Sequence, residues 1–426
     1  MNSLKKLLPP IIFLLIIFTL PFPSLAKPLL FAPINESEVY CYWKGGNDGY
    51  ARYKLFETFK SKFPELNIVH ANIICHPQKN TSNLLLERIF KGNPPDILQV
   101  HSGAELINKF VKNNAVEPLT SLLKKWDLLD KYNPMLLKMF SYKGEVYSLP
   151  VSIHRGNIIF YNKHILEKLN ISKPHDFKTL VASMDIIQKN NILPLALGNA
   201  DKKSLLHLYE NILTDTLGIY SYQDFCNGNI DLDNPTIKHT LKLFKQTTSY
   251  MNSNYQNIYW QEAVEMVYEG KAAYTIIGDW AINYFKSLGA IPGQDFGWIV
   301  IGAPTSFMAI CDGFSIPKNS LQNEKSEAWL KVISDRNFQL ELNQIKGCLS
   351  TRLDLDDYII KDLYLNDPVN SYVNNYFIYY PSMAYGYAAP DGLRLIVDQI
   401  LTNYISDGKI NQVQDDLIIV LNNLKY

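Results

Sequence analysis

Short apolar runs alternate with amphipathic helical stretches along most of this chain, and that alternation constrains the fold more than any other feature. Val39-Tyr40-Cys41-Tyr42-Trp43 reads as a strand, and Lys44 to Gly49 as the turn after it. Leu55, Phe56, Phe59 and Phe63 then recur at helical spacing, and Pro64 stops the helix. Leu66 to Val69 supplies the next strand. A strand-helix-strand unit of this kind implies a parallel sheet with helices on its faces. The pattern continues with a helix over Leu84–Phe90, a strand over Asp96–Val100, and helices over Ala104–Phe110 and Leu119–Leu129. Strands follow at Ile158–Asn162 and Lys271–Ile277, a helix at Phe177–Gln188, one long helix at Ser326–Leu342, and closing helices within Asp391–Leu421. The fold class is therefore α/β.

The N-terminus bears on the compartment. Lys5 and Lys6 precede an apolar run from Ile11 to Leu20, ended by Pro21 and Pro23, and Ser24-Leu25-Ala26 places small residues at the −3 and −1 positions. This is the layout of a secretory leader cleaved after Ala26. The run is about half the roughly 20 residues a spanning helix needs, so a retained anchor is the poorer reading. About 400 residues would remain, enough for two domains or three. Acidic and basic side chains balance at 41 each, which gives no reason to expect nucleic acid as a partner. Five cysteines, at 41, 75, 226, 311 and 348, form no C-x-x-C pair. Free thiols and one or two bridges are equally open readings in an exported chain.

Enzymatic motifs are absent. Gly45-Gly46-Asn47-Asp48-Gly49 lacks the Lys-Ser/Thr of a phosphate loop and the spacing of a dinucleotide fingerprint. None of the eight histidines has metal-ligand spacing, and no G-x-S-x-G elbow occurs. No metal or cofactor is expected. A carboxylate pair for glycoside hydrolysis has no short signature, so a secreted glycoside hydrolase stays as the alternative reading. The 27 Tyr and 6 Trp are the side chains a carbohydrate site needs, because an aromatic face covers the C–H patch of a sugar ring while planar polar groups bond its hydroxyls.

Five stretches, read in order, carry a resemblance. They are Asn93-Pro94-Pro95-Asp96-Ile97-Leu98-Gln99-Val100-His101; Tyr142-Lys143-Gly144-Glu145-Val146-Tyr147 leading to His154-Arg155-Gly156-Asn157; Leu195-Ala196-Leu197-Gly198-Asn199; Trp260-Gln261-Glu262-Ala263 with Gly278-Asp279-Trp280; and Asp312-Gly313-Phe314 with Lys346-Gly347-Cys348. Together they resemble the extracytoplasmic solute-binding proteins, family 1, of sugar ABC transporters. The Gln-Val-His and His-Arg-x-Asn pieces are most similar to glucose/mannose-type members.

The resemblance implies a two-lobed periplasmic-binding-protein (type II) fold with its ligand cleft between the lobes. One lobe would take 27–150 plus 312–347, the other 151–311 plus 348–426. It implies a monomeric, periplasmic receptor that captures a monosaccharide or short oligosaccharide by lobe closure and passes it to the transmembrane permease without chemistry. A sensor that presents its loaded state to a membrane receptor would read the same. Carried over by position, the ligand-binding residues are Trp43, Asp48, Gln99, His101, Asn157, Trp260, Asp312, Lys346 and Tyr385. Asp279 and Trp280 match a family motif but are read as structural, and Arg155 is left open. The chain departs from the family at Tyr42, Asn47 and Asp48, and at Tyr385, where glucose binders of this type carry a His before Gly-x-x-Ala-Pro.

Overall fold

The computed structural model describes residues 36–43, 46–71, 81–231, 233–300, 302, 305–320, 323–355, 377–389 and 391–422. The leader and Cys75 lie outside them. Among the described residues no helix is long and apolar enough to cross a membrane.

Two sheets organise the molecule. The first contains β1 (Glu36–Tyr40), β2 (Asn67–His70), β3 (Ile97–His101), β6 (Leu149–Arg155), β11 (Ser306–Ser315) and β12 (Ile378–Pro381), in the order β12-β11-β3-β1-β2 with β6 also paired to β11. The second runs β10 (Phe296–Val300), β7 (Ile158–Asn162), β9 (Ala272–Ile276), β8 (Leu193–Ala196). A small hairpin, β4 (Ser141–Tyr142) and β5 (Glu145–Val146), stands apart.

The sequence predicts parallel sheets, and the structure is mixed. β1, β2 and β3 are parallel, as the strand-helix-strand reading requires. β11 runs antiparallel to both β3 and β6, and β7 is antiparallel to β9 and β10. The antiparallel members include the passages by which the chain leaves one sheet for the other. β6 and β11 lie side by side, and Ile153 exchanges two backbone hydrogen bonds with Leu349, so three passages are joined. Local periodicity carries no information about strand direction at such a crossing.

Helix boundaries follow local chemistry. Asn133, Asn162, Asn234 and Asp335 each accept a hydrogen bond from a backbone N–H in the first turn of the helix they precede, and Asp176 forms a capping box with Thr179. Asp335 also corrects the expectation of one helix over Ser326–Leu342. Two helices occupy that region, Asn323–Ser334 and Arg336–Lys346. Asp335 is extended (ψ 131°) and its carboxylate accepts from Phe338 N, so the side chain that reads as a helix face in sequence starts a second helix instead. The closing region likewise divides, at Gly408 with φ 68°, into Asp391–Asp407 and Ile410–Asn422.

Cys41, Cys226, Cys311 and Cys348 are buried free thiols, and burial pushes all four above the ordinary thiol value. A thiol reagent is therefore expected to leave these four unmodified in the native protein and to label them in denaturant. Protection of any of the four after full denaturation without reductant would reveal a disulfide instead.

Candidate functional site

A cavity of about 960 Å³ opens between the two sheets. Asp312 lines it, on the strand β11 that both β3 and β6 flank. Asp312 pairs with His101 across β3 and with Ser152 across β6. The register with β6 then shifts, because Gly313 pairs with Pro150 and leaves Val151 unmatched. Such an irregularity re-aims a side chain. Gly313 is obligatory there: a Cβ would lie 2.4 Å from Ser148 Oγ and 2.7 Å from the Phe140 ring.

Asp312 gathers the groups around it. Tyr42 OH donates to Oδ1 at 3.1 Å; Trp43 Nε1, Ser152 Oγ and Lys346 Nζ donate to Oδ2 at 3.1, 3.2 and 3.4 Å. Burial would raise its carboxyl, but Lys346, His101, His154 and the Trp43 indole outweigh burial and hold it below the ordinary 3.8. It is an anion at the floor of a cleft. Lys346, at the C-terminal end of its helix, also donates to Asp48 Oδ1 at 2.6 Å and lies 4.1 Å above the centre of the Trp43 ring. Burial would lower its ammonium, and Asp48 and Asp312 more than offset this, so it stays above its ordinary 10.5.

His101 stands beside this group. Its Nδ1 is in a short contact with Glu105, and its ring packs on Tyr42 (centroids 4.4 Å) and Tyr387 (5.0 Å). Burial disfavours the imidazolium, but Glu105 and then Asp312 favour it more, so its value is raised above 6.5 despite Lys203 opposing. The sign follows from linkage. The charged pair stabilises the folded state fully below the unfolded value of about 6.5, and that contribution is lost as pH rises through the higher native value. The melting temperature of the protein should therefore exceed that of His101→Gln by more at pH 6 than at pH 9. A difference that is flat or grows with pH overturns the pairing.

The opposite wall is aromatic. Trp260 begins the helix Trp260–Tyr268 and packs edge-on against Tyr284 at 5.3 Å. Trp280 stands edge-on to both His154 (5.4 Å) and Tyr385 (5.2 Å). The Trp280 ring folds back over Gly278, where a Cβ would sit 2.0 Å from it, so glycine is needed to seat the indole. Asp279 is buried. It accepts from His154 Nδ1 at 2.6 Å and from Arg155 N at 2.9 Å, which fastens the start of the helix Trp280–Ser287 to the end of β6. With Nδ1 so engaged, His154 can offer Nε2 to the cleft.

The structure brings Trp43, Asp48, His101, Trp260, Asp312, Lys346 and Tyr385 to the cleft. Two residues named from the sequence do not line it. Gln99 is buried behind the wall, its Oε1 accepting from Tyr42 N and Cys41 Sγ. Asn157 is fully buried, bonded to Ser306 and to Met308 N, and it ties the connection between β6 and β7 to β11. Gln99 is on the strand β3 and Asn157 in the connection between β6 and β7, and the side chain of each satisfies neighbouring backbone. Trp43 reaches the cleft only at an edge. It is 1% exposed, its N–H is on Asp312 and its face lies under Lys346, so it is a support and not an open platform. Trp280, read from sequence as structural, lines the cleft and is only partly buried. The reading also leaves out Tyr42, Glu105, His154, Lys203, Tyr387 and Arg394, which line it too. The i, i+4 spacing of His101 and Glu105 was an available signal; the others are brought in from distant chain segments. Among the described residues no three His, Cys, Asp or Glu side chains converge to hold a metal ion.

Residues 85–335 match the family model described as bacterial extracellular solute-binding protein. The chain belongs to that family. It is 29% identical over 399 residues, 92% of this chain and 89% of the relative, to an uncharacterised ABC transporter extracellular-binding protein of Pyrococcus horikoshii. It is 26% identical over 254 residues, 58% of this chain and 46% of the relative, to the glucose-binding protein GlcS of Saccharolobus solfataricus. Among solved structures, the bacterial solute receptor AcbH, described as having an exclusive substrate preference for β-D-galactopyranose, superposes with a TM-score of 0.75 at 14% identity, covering 92% of this chain and 99% of that one. The solute-binding protein thus has the two-lobed type II fold, with the cleft between its lobes.

Proposed function

We propose that this solute-binding protein is the exported sugar receptor of an ABC importer, taking a glucose- or mannose-like monosaccharide or a short oligosaccharide and presenting it to the permease. The observation that carries the reading is the pairing of two unlike walls. On one, a fixed carboxylate (Asp312), a carboxylate-paired imidazole (His101) and a buried ammonium (Lys346) suit the donors and acceptors of sugar hydroxyls. On the other, Trp260, Trp280 and Tyr385 offer aromatic surface to the C–H faces of the ring. The cavity is at the upper end of the roughly 300–1,000 Å³ range of small-molecule sites, which supports room for more than one ring.

Two α/β lobes, 27–150 plus 312–347 and 151–311 plus 348–426, would close on the ligand because each contributes contacts. Closure is then a population shift driven by the better affinity of the closed form. The receptor acts as a monomer in the periplasm after removal of a leader ending near Ala26, and makes or breaks no bond. The relatives named for sugars support this reading.

Calorimetric titration of the mature protein with glucose, mannose, galactose, xylose and maltose tests it. Saturable heat with one of them, and unaltered sugar recovered after long incubation, is the expected result. No binding across the panel or to its uronate and phosphate counterparts, or release of cleaved product, overturns it.

A further inference from the structure

The cleft wall nearest Tyr385 carries charge that a neutral sugar does not require. Lys203 and Arg394 both line the cavity. They arrive by different routes, Lys203 from the loop before the helix Ser204–Leu217 and Arg394 from the helix Asp391–Asp407. They are held close together, because Arg394 Nη1 donates to the carbonyl of Lys202 at 2.7 Å. Lys203 Nζ lies over the Tyr385 ring, 5.6 Å from its centroid.

The loop that presents them is fixed. Asn199 is fully buried, accepts from Leu205 N at 3.0 Å and donates to Asp398 at 3.2 Å. Lys202 is in the left-handed region with φ 60°, a conformation that costs a β-carbon residue energy and recurs at binding sites. That turn sends the Lys202 carbonyl to Arg394 and leaves Lys203 on the cleft.

The acids on the facing wall have cationic partners. Asp312 and Asp48 share Lys346, and Glu105 takes His101. The two cations are less well matched. Asp201 lies 4.0 Å from Lys203, at the limit of an ion pair. No carboxylate among the described residues pairs with the Arg394 guanidinium, which has five N–H donors. Asp398 is near, but it is buried and burial raises its carboxyl, with Asn199, Lys202 and Arg394 pulling the other way. The positive end of the Ser204–Leu217 helix lies beside Lys203, with Leu205 N of its first turn taken by Asn199 Oδ1.

We infer that the saccharide this cleft takes carries an anionic group, a carboxylate or a phosphate, seated on Lys203 and Arg394 beside Tyr385. The inference rests on the sugar-receptor reading and adds the substrate class. A planar carboxylate or a phosphate accepts from the guanidinium fork and the ammonium together, while the sugar hydroxyls meet Asp312 and His101 on the other wall.

The test is calorimetry at fixed ionic strength with matched sets: glucose, glucuronate and glucose 6-phosphate; galactose, galacturonate and galactose 6-phosphate; and mannose, mannuronate and mannose 6-phosphate. In at least one set an acidic member should bind about tenfold or more tighter than its neutral parent. Which acidic member wins distinguishes a uronate from a phosphate. Lys203→Gln/Arg394→Gln should remove that preference, and Arg394→Lys, which keeps the charge but not the fork, should keep part of it. Melting curves of the variants show that they fold. Neutral members binding as well as or better than acidic ones would overturn the inference and leave the receptor reading intact. A preference that survives the double variant would overturn the assignment to these residues. No binding by any member would sink the inference and the receptor reading together.

Discussion

Asp312→Ala should abolish detectable sugar binding and destabilise the protein by about 3 kcal/mol or more. Four donors converge on this carboxylate, from Tyr42, Trp43, Ser152 and Lys346. Alanine leaves Trp43 Nε1, Ser152 Oγ and the 3%-exposed Lys346 without that acceptor in a low-dielectric floor. Lys346 keeps Asp48, so the pair is weakened and not lost outright. Asp312→Asn retains one carbonyl acceptor but removes the charge, and should cost less stability while still lowering affinity about a hundredfold or more, as loss of a charge-assisted contact does. Urea titration and calorimetry measure the two effects separately. A variant Asp312→Ala that binds sugar like the parent would mean the cleft is placed wrongly.

The second large effect is remote from the cleft. Glu210→Leu should lower stability by about 3–5 kcal/mol, and it should weaken binding through Tyr385. Glu210 is fully buried. It accepts from His207 Nδ1 (2.8 Å), Tyr222 OH (2.9 Å), Ser382 Oγ (2.6 Å), Met383 N (2.7 Å) and Ala384 N (3.3 Å). The segment 382–384 is therefore pinned by one carboxylate, and Tyr385 follows it directly with its ring edge-on to His207 at 5.3 Å. Leucine fills the volume but removes the acceptor of two backbone N–H groups, two hydroxyls and the His207 imidazole. Glu210→Gln keeps one carbonyl oxygen and should fall between. A loss below about 1 kcal/mol for Glu210→Leu would show that water or a rearranged loop replaces the carboxylate.

Elements with strong local patterns were legible. The helix ended near Pro64 and the strand at Ile97 appear where apolar spacing puts them. The strand expected over Val39–Trp43 lies at Glu36–Tyr40 and the helix after it already begins at Gly46, because Cys41, Tyr42 and Trp43 turn toward the Gln99 and Asp312 side chains instead of pairing along the sheet. The split at Asp335 was not read, since an acidic residue at helical spacing looks like an exposed face until its carboxylate is seen on Phe338 N. Seven of the nine residues named as binding reach the cleft. Gln99 and Asn157 do not, because motif order carries over a position but not whether its side chain meets the cleft or, as here, the backbone of Tyr42 and of Met308.

Residue order alone determined the alternating architecture, the absence of metal-ligand spacing and the family resemblance, which are properties of local patterns and of motif order. The tertiary structure alone decided the site's electrostatics. Asp312 and Lys346 are 34 residues apart, Lys346 and Asp48 are 298, and Asp279 and His154 are 125. Charges so distant in the chain perturb one another only when folding removes the water between them, and a register shift on β11 aims Asp312 among them. The same holds for Lys203 and Arg394, whose shared place beside Tyr385 is set by a strained turn and one carbonyl that no local pattern encodes.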